Sequence, residues 1–154
     1  MAEMAYVPHV DLLLKALRVN RDRLNSRSKI AIDARLLRAL LQGIAAAAPF
    51  SESFYLETYP DLASAVASGG ITDARRHFVE VGFLEGRFGA PPPVNEAFYS
   101  NQYEDVARAI AQGDVTSGVE HYMRSGAAEG RLPSLQMTEA VENWMAVLRD
   151  DTRA

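Results

Sequence analysis

The sequence predicts an all-α fold, and three observations carry that prediction. Apolar residues recur at 3.6-residue spacing in every apolar segment. No stretch sustains the alternation of apolar and polar residues that a half-buried strand needs. Residues 50–131 contain one unit written twice at a constant offset of 44 residues. Phe54-Tyr55 and Tyr59-Pro60-Asp61 return as Phe98-Tyr99 and Tyr103-Glu104-Asp105. His77-Phe78 returns as His121-Tyr122, and Glu85-Gly86-Arg87 returns as Glu129-Gly130-Arg131. A duplication of this kind says much about architecture and little about activity.

One helical domain is expected over residues 1–154, with two N-terminal helices in 1–49. The first three-helix repeat takes 50–92, the second 93–135, and a C-terminal capping helix 136–154. The first helix is placed near 9–19, where Val10, Leu13, Leu14 and Leu17 make one stripe behind Pro8. Residues 18–29 come next, with five cations (Arg18, Arg21, Arg23, Arg27 and Lys29) against the single anion Asp22. A charge run of this kind is ordinarily a solvated loop or helix face. Its concentration in a chain that is otherwise acidic also makes Arg21, Arg23 and Arg27 candidates for contact with an anionic partner. A second helix spans 32–48, with Leu36, Leu37, Leu40, Leu41 and Ile44 on one stripe and Pro49 at its end.

Each repeat reads as three short helices. The first carries aromatic pairs at i, i+4: Phe50 with Phe54 and Tyr55 with Tyr59, then Tyr99 with Tyr103. The second opens at Pro60-Asp61 or Glu104-Asp105, where a carboxylate meets the positive end of the helix dipole. The third opens at Thr72 or Thr116 as N-cap and buries Ala74, His77, Phe78 and Val81. Gly118 and Ser125 replace Ala74 and Val81 in the second copy, and Ala127-Ala128 replace Phe83-Leu84. That copy therefore needs a cover. A last helix opening at Thr138, with Val141, Trp144, Met145 and Leu148 on one face, is the natural candidate, and residues 150–154 should fray.

Composition narrows the class. A chain of 154 residues with 48% apolar and 23% charged residues can bury a core of its own. The net charge of −4 argues against nucleic acid as a partner. Without cysteine there are no disulfides, thiolate metal sites or thiol nucleophiles. The opening residues lack a basic stretch leading into an apolar core, and the apolar runs are too short to span a membrane. The default expectation is a cytoplasmic protein, with cell-surface association without a cleaved signal left open.

The duplicated residues resemble a short bacterial repeat family. Its members read approximately Phe-Asp-x-x-Tyr-Tyr-Leu-x-x-Asn-Pro-Asp-Val-Ala, then His-Tyr, then Gly-x-x-Glu-Gly-Arg. The matching positions include Tyr55, Tyr59, Pro60, Asp61, His77, Gly82, Glu85, Gly86 and Arg87. The second copy departs at Ser100 and Glu104, where the pattern has Leu and Pro. Such repeats occur beside glycosyltransferase domains and in haemolysin-type calcium-binding or other surface proteins. The resemblance covers a little over half the chain and implies an accessory module tied to cell-surface polysaccharide or its machinery.

Read as chemistry, the motif residues look structural. His77 and His121 lie on apolar faces and are expected to bond a carboxylate or carbonyl of their own repeat rather than a metal. Glu85-Gly86-Arg87 and Glu129-Gly130-Arg131 are expected to close each copy on a positive-φ glycine, their charges tying the turn to a neighbouring helix. Arg87 and Arg131 could alternatively meet carboxylates or phosphates of a glycan. No phosphate-binding glycine loop, nucleophile elbow or zinc-protease helix occurs, so no catalytic residue, metal or cofactor is expected. Two main readings result: an interaction module for an acidic polysaccharide, or a regulatory or scaffolding protein acting through protein contacts or as a homo-oligomer. An exposed apolar face would favour the second.

Overall fold

The structure, a computed structural model, describes residues 6–149 and is all-α, with no strand among those residues. The expected fraying of residues 150–154 lies outside them. Where the sequence suggests one domain, the chain divides into two compact units, Met1–Ala47 and Ala48–Ala154.

The first unit holds α1 (Val10–Leu17), a 3₁₀ turn (Arg21–Asn25) and α2 (Ala34–Ala47). His9 caps α1 by accepting the Asp11 N–H, and Leu14 is its buried residue. The stripe expected to bury α2 does not. Leu36 and Leu41 are half-buried, while Leu37, Leu40 and Ile44 are exposed.

The second unit begins with α3 (Glu52–Thr58), α4 (Pro60–Ala67) and α5 (Ala74–His77), which runs on into a π turn (Phe78–Gly82). The same series returns as α6 (Glu96–Gln102), α7 (Glu104–Gln112) and α8 (Gly118–His121), again with a π turn (Tyr122–Gly126). A 3₁₀ turn (Leu135–Met137) leads into α9 (Thr138–Leu148). Ser51 and Asn95 cap α3 and α6 through the N–H groups of Phe54 and Phe98. The N-caps of α5 and α8 are Asp73 and Ser117, each one residue later than Thr72 and Thr116. Thr116 instead donates to the Glu120 carboxylate at 2.6 Å through its hydroxyl and at 2.7 Å through its N–H, which holds the Glu120 carboxyl below its ordinary pKa.

The π turns correct a second expectation. The Phe83 N–H bonds the Phe78 carbonyl at 2.8 Å, and Ala127 bonds Tyr122 at 2.9 Å, five residues back in each case. Such a turn takes in one extra residue and rotates the next stretch of chain about the helix axis. Gly82 and Gly126 therefore reach the core, while Val81 is turned out to solvent. What they meet there is the centre of each copy. Tyr55 and Tyr99 are completely buried, edge-on to Phe78 and Tyr122 at 5.7 and 5.8 Å. The Gly82 and Gly126 backbones lie so close to the two phenol hydroxyls that no Cβ fits between them.

Each copy also closes on itself: Ser51 N–H donates to the Gly89 carbonyl at 2.8 Å, and Asn95 N–H to the Pro133 carbonyl at 3.0 Å. The last helix covers the second copy only in part. Met145 packs at Gly130, and Val141 and Met145 are half-buried, but Trp144 and Leu148, expected on the same covering face, are exposed.

Candidate functional site

Three constellations concentrate the chemistry of the second unit, and the sequence motif supplies two of them. The first is a guanidinium cage. At the end of the π turn the Arg87 N–H bonds the Gly82 carbonyl at 2.9 Å and the Gly86 N–H bonds that of Phe83 at 3.0 Å. This six-residue closure needs a left-handed residue, which Gly86 supplies at φ 79°. It aims the Arg87 side chain back at α4. There the guanidinium donates to both oxygens of Asp61, at 3.1 and 2.9 Å, and through Nε to Glu85 at 2.9 Å. It also stacks 4.9 Å from the Tyr59 ring centre, and the Tyr59 hydroxyl accepts the Phe88 N–H at 2.8 Å.

The second copy repeats the cage around Arg131. Asp105 accepts at 2.9 and 2.8 Å, Glu129 accepts from Nε, and the Tyr103 ring lies 4.9 Å away. The Tyr103 hydroxyl accepts the Leu132 N–H at 2.8 Å. Bidentate bonds from arginine are charge-assisted and stronger than neutral ones. They hold the Asp61 and Asp105 carboxyls below their ordinary pKa and keep both arginines protonated. The cage joins the turn to the neighbouring helix, and the three nitrogens of each guanidinium all face carboxylates of the chain itself.

The tyrosine hydroxyl is the element of the cage that can be tested without touching a charge. Tyr103→Phe should lower stability by about 1–3 kcal/mol, because the Leu132 N–H loses its acceptor in a part-buried place. The cation–π stack survives in this variant, so chemical unfolding of Tyr103→Phe beside Arg131→Gln separates the two contributions.

The second constellation corrects the expected partner of the histidines. Nδ1 of His77 lies 3.1 Å from the Tyr55 hydroxyl, and Nδ1 of His121 lies 3.1 Å from that of Tyr99. The partner is a phenol rather than a carboxylate or carbonyl. Ser125 adds a second neighbour to His121, 3.4 Å from Nε2. Burial pushes both phenols up to about pKa 12. Among the described residues no cluster of three or more His, Asp or Glu is placed to hold a metal ion.

The third constellation is not visible in the motif. Phe78, Phe83, Phe88 and Tyr122 form an apolar cleft of about 450 Å³ with Pro49 and the strap of Pro91, Pro92 and Pro93. Phe88 of the first copy meets Tyr122 of the second at 6.3 Å. The proline strap thus forms a wall of the cleft. A further device is equally hidden. Glu96 on α6 accepts the Gly118 and Val119 N–H groups at 2.7 and 3.0 Å, and a Cβ at Gly118 would stand 2.7 Å from its carboxylate. Gly118 therefore makes room for a bond between helices, where the sequence suggests a loosened core.

The basic residues of 18–29 are exposed in the first unit. Arg21 pairs with Asp11, and Arg23 reaches the Ser28 hydroxyl at 3.4 Å and the Lys29 carbonyl at 3.3 Å. These bonds fold the segment on itself. Arg27 is exposed beside them.

No family model matches the chain. No curated protein and no solved structure matches it either. No helix of the described residues is long and apolar enough to cross a membrane.

Proposed function

We propose that the chain is a non-catalytic helical interaction module that works through protein–protein contacts. One observation carries this reading: on α2, Leu37, Leu40 and Ile44 stand at helical spacing and are exposed, a stripe that water penalises until something covers it. The apolar cleft beside the proline strap adds a second surface of the same character. The carboxyls of Asp61, Asp105 and Glu120 are held below their ordinary pKa by hydrogen bonds from Arg87, Arg131 and Thr116, so these three stay ionised as acceptors within the chain.

A tie to bacterial cell-surface polysaccharide or its machinery rests on the motif resemblance. It has less support, because the arginines that would meet an acidic sugar, Arg87 and Arg131, face Asp61, Glu85, Asp105 and Glu129.

The experiment is site-specific photocrosslinking in living cells, with a photoreactive residue at Leu37 and a control at the exposed Arg108. Discrete protein adducts should form at Leu37, should be absent at Arg108, and should disappear when Ile44→Glu is added. Binding on a glycan array, with no protein adduct at Leu37, would overturn the reading in favour of the polysaccharide.

A further inference from the structure

The two copies continue differently after the same turn. Gly86 and Gly130 hold the same left-handed place, at φ 79° and 70°. After the second copy the chain enters α9, which lies back against the turn that precedes it. Sδ of Met145 stands 2.7 Å from the point a Cβ at Gly130 would take, and Nη2 of Arg149, the residue that ends α9, stands 3.4 Å from it. Both side chains suit that place. The thioether is flexible and fits an irregular surface. The arginine meets a turn where two carboxylates, Asp105 and Glu129, flank the one guanidinium of Arg131, a surplus of one negative charge. After the first copy the chain leaves through the proline strap, and a Cβ at Gly86 would meet nothing within 4 Å. Asp61 and Glu85 leave the same surplus around Arg87. At the turn equivalent to the one that α9 covers, the first copy opens into the apolar cleft of about 450 Å³, which Gly86 and Arg87 themselves line.

Resting on the interaction-module reading, we propose that this cleft docks an amphipathic helix of a partner protein, one that brings a methionine and, four residues on, an arginine to the Gly86 turn, as α9 brings Met145 and Arg149 to Gly130. The chain's own α9 shows what kind of segment covers this turn, and the cleft agrees with it. Phe83 and Phe88 stand where the second copy has Ala127 and Leu132, so the walls offer aromatic rings, against which a thioether packs favourably. The surplus carboxylate beside Gly86 favours a cation at the rim, and the apolar walls favour a methionine beneath it. A helix laid in a groove is held by side chains one turn apart, which is the spacing of Met145 and Arg149. A second copy of the chain is poorly suited to the place, because its α9 is engaged with its own Gly130 turn. Every wall residue belongs to the second unit, between Ala48 and Tyr122.

The probe is a fluorescein-labelled peptide with the sequence of Thr138–Arg149, titrated with the full chain and followed by fluorescence anisotropy. It should bind saturably, and more weakly as salt is raised. Pro91→Arg, an exposed change in the cleft wall that sets a cation against the incoming arginine, should weaken binding at least about tenfold. Leu135→Arg, the equivalent and equally exposed position of the second copy, should leave binding unchanged, and circular dichroism should show both variants folded as the wild type is. In the peptide, Met145→Ala and Arg149→Glu should each weaken binding by a similar factor. No saturable binding, or binding lost in Leu135→Arg and kept in Pro91→Arg, would overturn the proposal. Wild-type chain that dimerises without peptide in sedimentation velocity, and stops doing so in Pro91→Arg, would overturn it in favour of a second copy. If the peptide fails to bind while Leu37 still forms crosslinks to other proteins, the interaction-module reading stands and only the occupant of the cleft is wrong.

Discussion

Gly82→Ala should destabilise the chain by about 2–4 kcal/mol, against the gain of up to about 1 kcal/mol that alanine ordinarily brings to a helix. The reason is the approach of Gly82 to Tyr55. A Cβ there would sit well inside contact distance of the phenol oxygen, with Cζ only 3.3 Å away, and the tyrosine is fully buried with nowhere to retreat. Gly126→Ala meets Tyr99 with the same geometry and should cost a similar amount. The cause can be isolated with Tyr55→Phe. That change alone removes the hydroxyl bonded to His77 and should cost about 1–2 kcal/mol. Combined with Gly82→Ala it removes the severe overlap and leaves the Cζ contact, which a few tenths of an ångström relieve. The double variant should therefore be more stable than the two single losses predict, by a coupling of about 1–3 kcal/mol. Gly43→Ala, in α2 with nothing within 4 Å of the new methyl, should be neutral or stabilising. Urea unfolding of these variants checks the pattern. Strict additivity of Gly82→Ala and Tyr55→Phe would show that the phenol oxygen is not the obstacle.

Periodicity locates the helices because it reports which face is buried, and packing rarely overrides a strong stripe. It cannot find the π turns, since one extra residue changes phase without changing composition. Val81 therefore reads as buried in a place that Gly82 occupies. The Glu-Gly-Arg turn is legible in both halves. A glycine after a helix asks for positive φ, and paired charges beside it ask for a partner, which Asp61 and Asp105 supply. The histidine partner is hidden because a tyrosine at an i, i+4 aromatic position reads as apolar filling, and its hydroxyl leaves no mark on the pattern. The α2 stripe fails in a different way. An amphipathic helix announces an apolar face without saying whether the cover lies in the same chain. Leu37, Leu40 and Ile44 are exposed although the stripe reads as core. Nor can a sequence of scattered prolines and aromatics reveal a cleft, because Phe88 and Tyr122 meet only when the two copies are placed side by side.

Raising the pH from about 10 to about 12 should remove about 2–3 kcal/mol of stability for each of two buried phenols, a large part of what a domain of this size possesses. Burial is the leading cause, since Tyr55 and Tyr99 are wholly enclosed and their anions would lose hydration. The nearby Arg87 and Arg131 oppose the shift without cancelling it. Proton linkage sets the sign. Below pH 10 folded and unfolded chains both hold the two protons, and the stabilisation is complete. Between the unfolded value near 10 and the folded value near 12 the unfolded chain releases them first, so unfolding gains. Tyr122 shifts the same way, again through burial, and adds to the loss. Asp61 and Asp105, with lowered values, are ionised throughout this range and leave it flat. Urea midpoints measured from pH 9 upward should fall, and the near-ultraviolet phenolate signal should show three of the six tyrosines, Tyr55, Tyr99 and Tyr122, ionising late, together with the loss of helical circular dichroism. Tyr55→Phe should be less stable at neutral pH yet lose less on the way to pH 12. If all six tyrosines ionise near pH 10 while the helical signal is intact, the centre of each copy is open to water and the enclosed phenol is the wrong description of it.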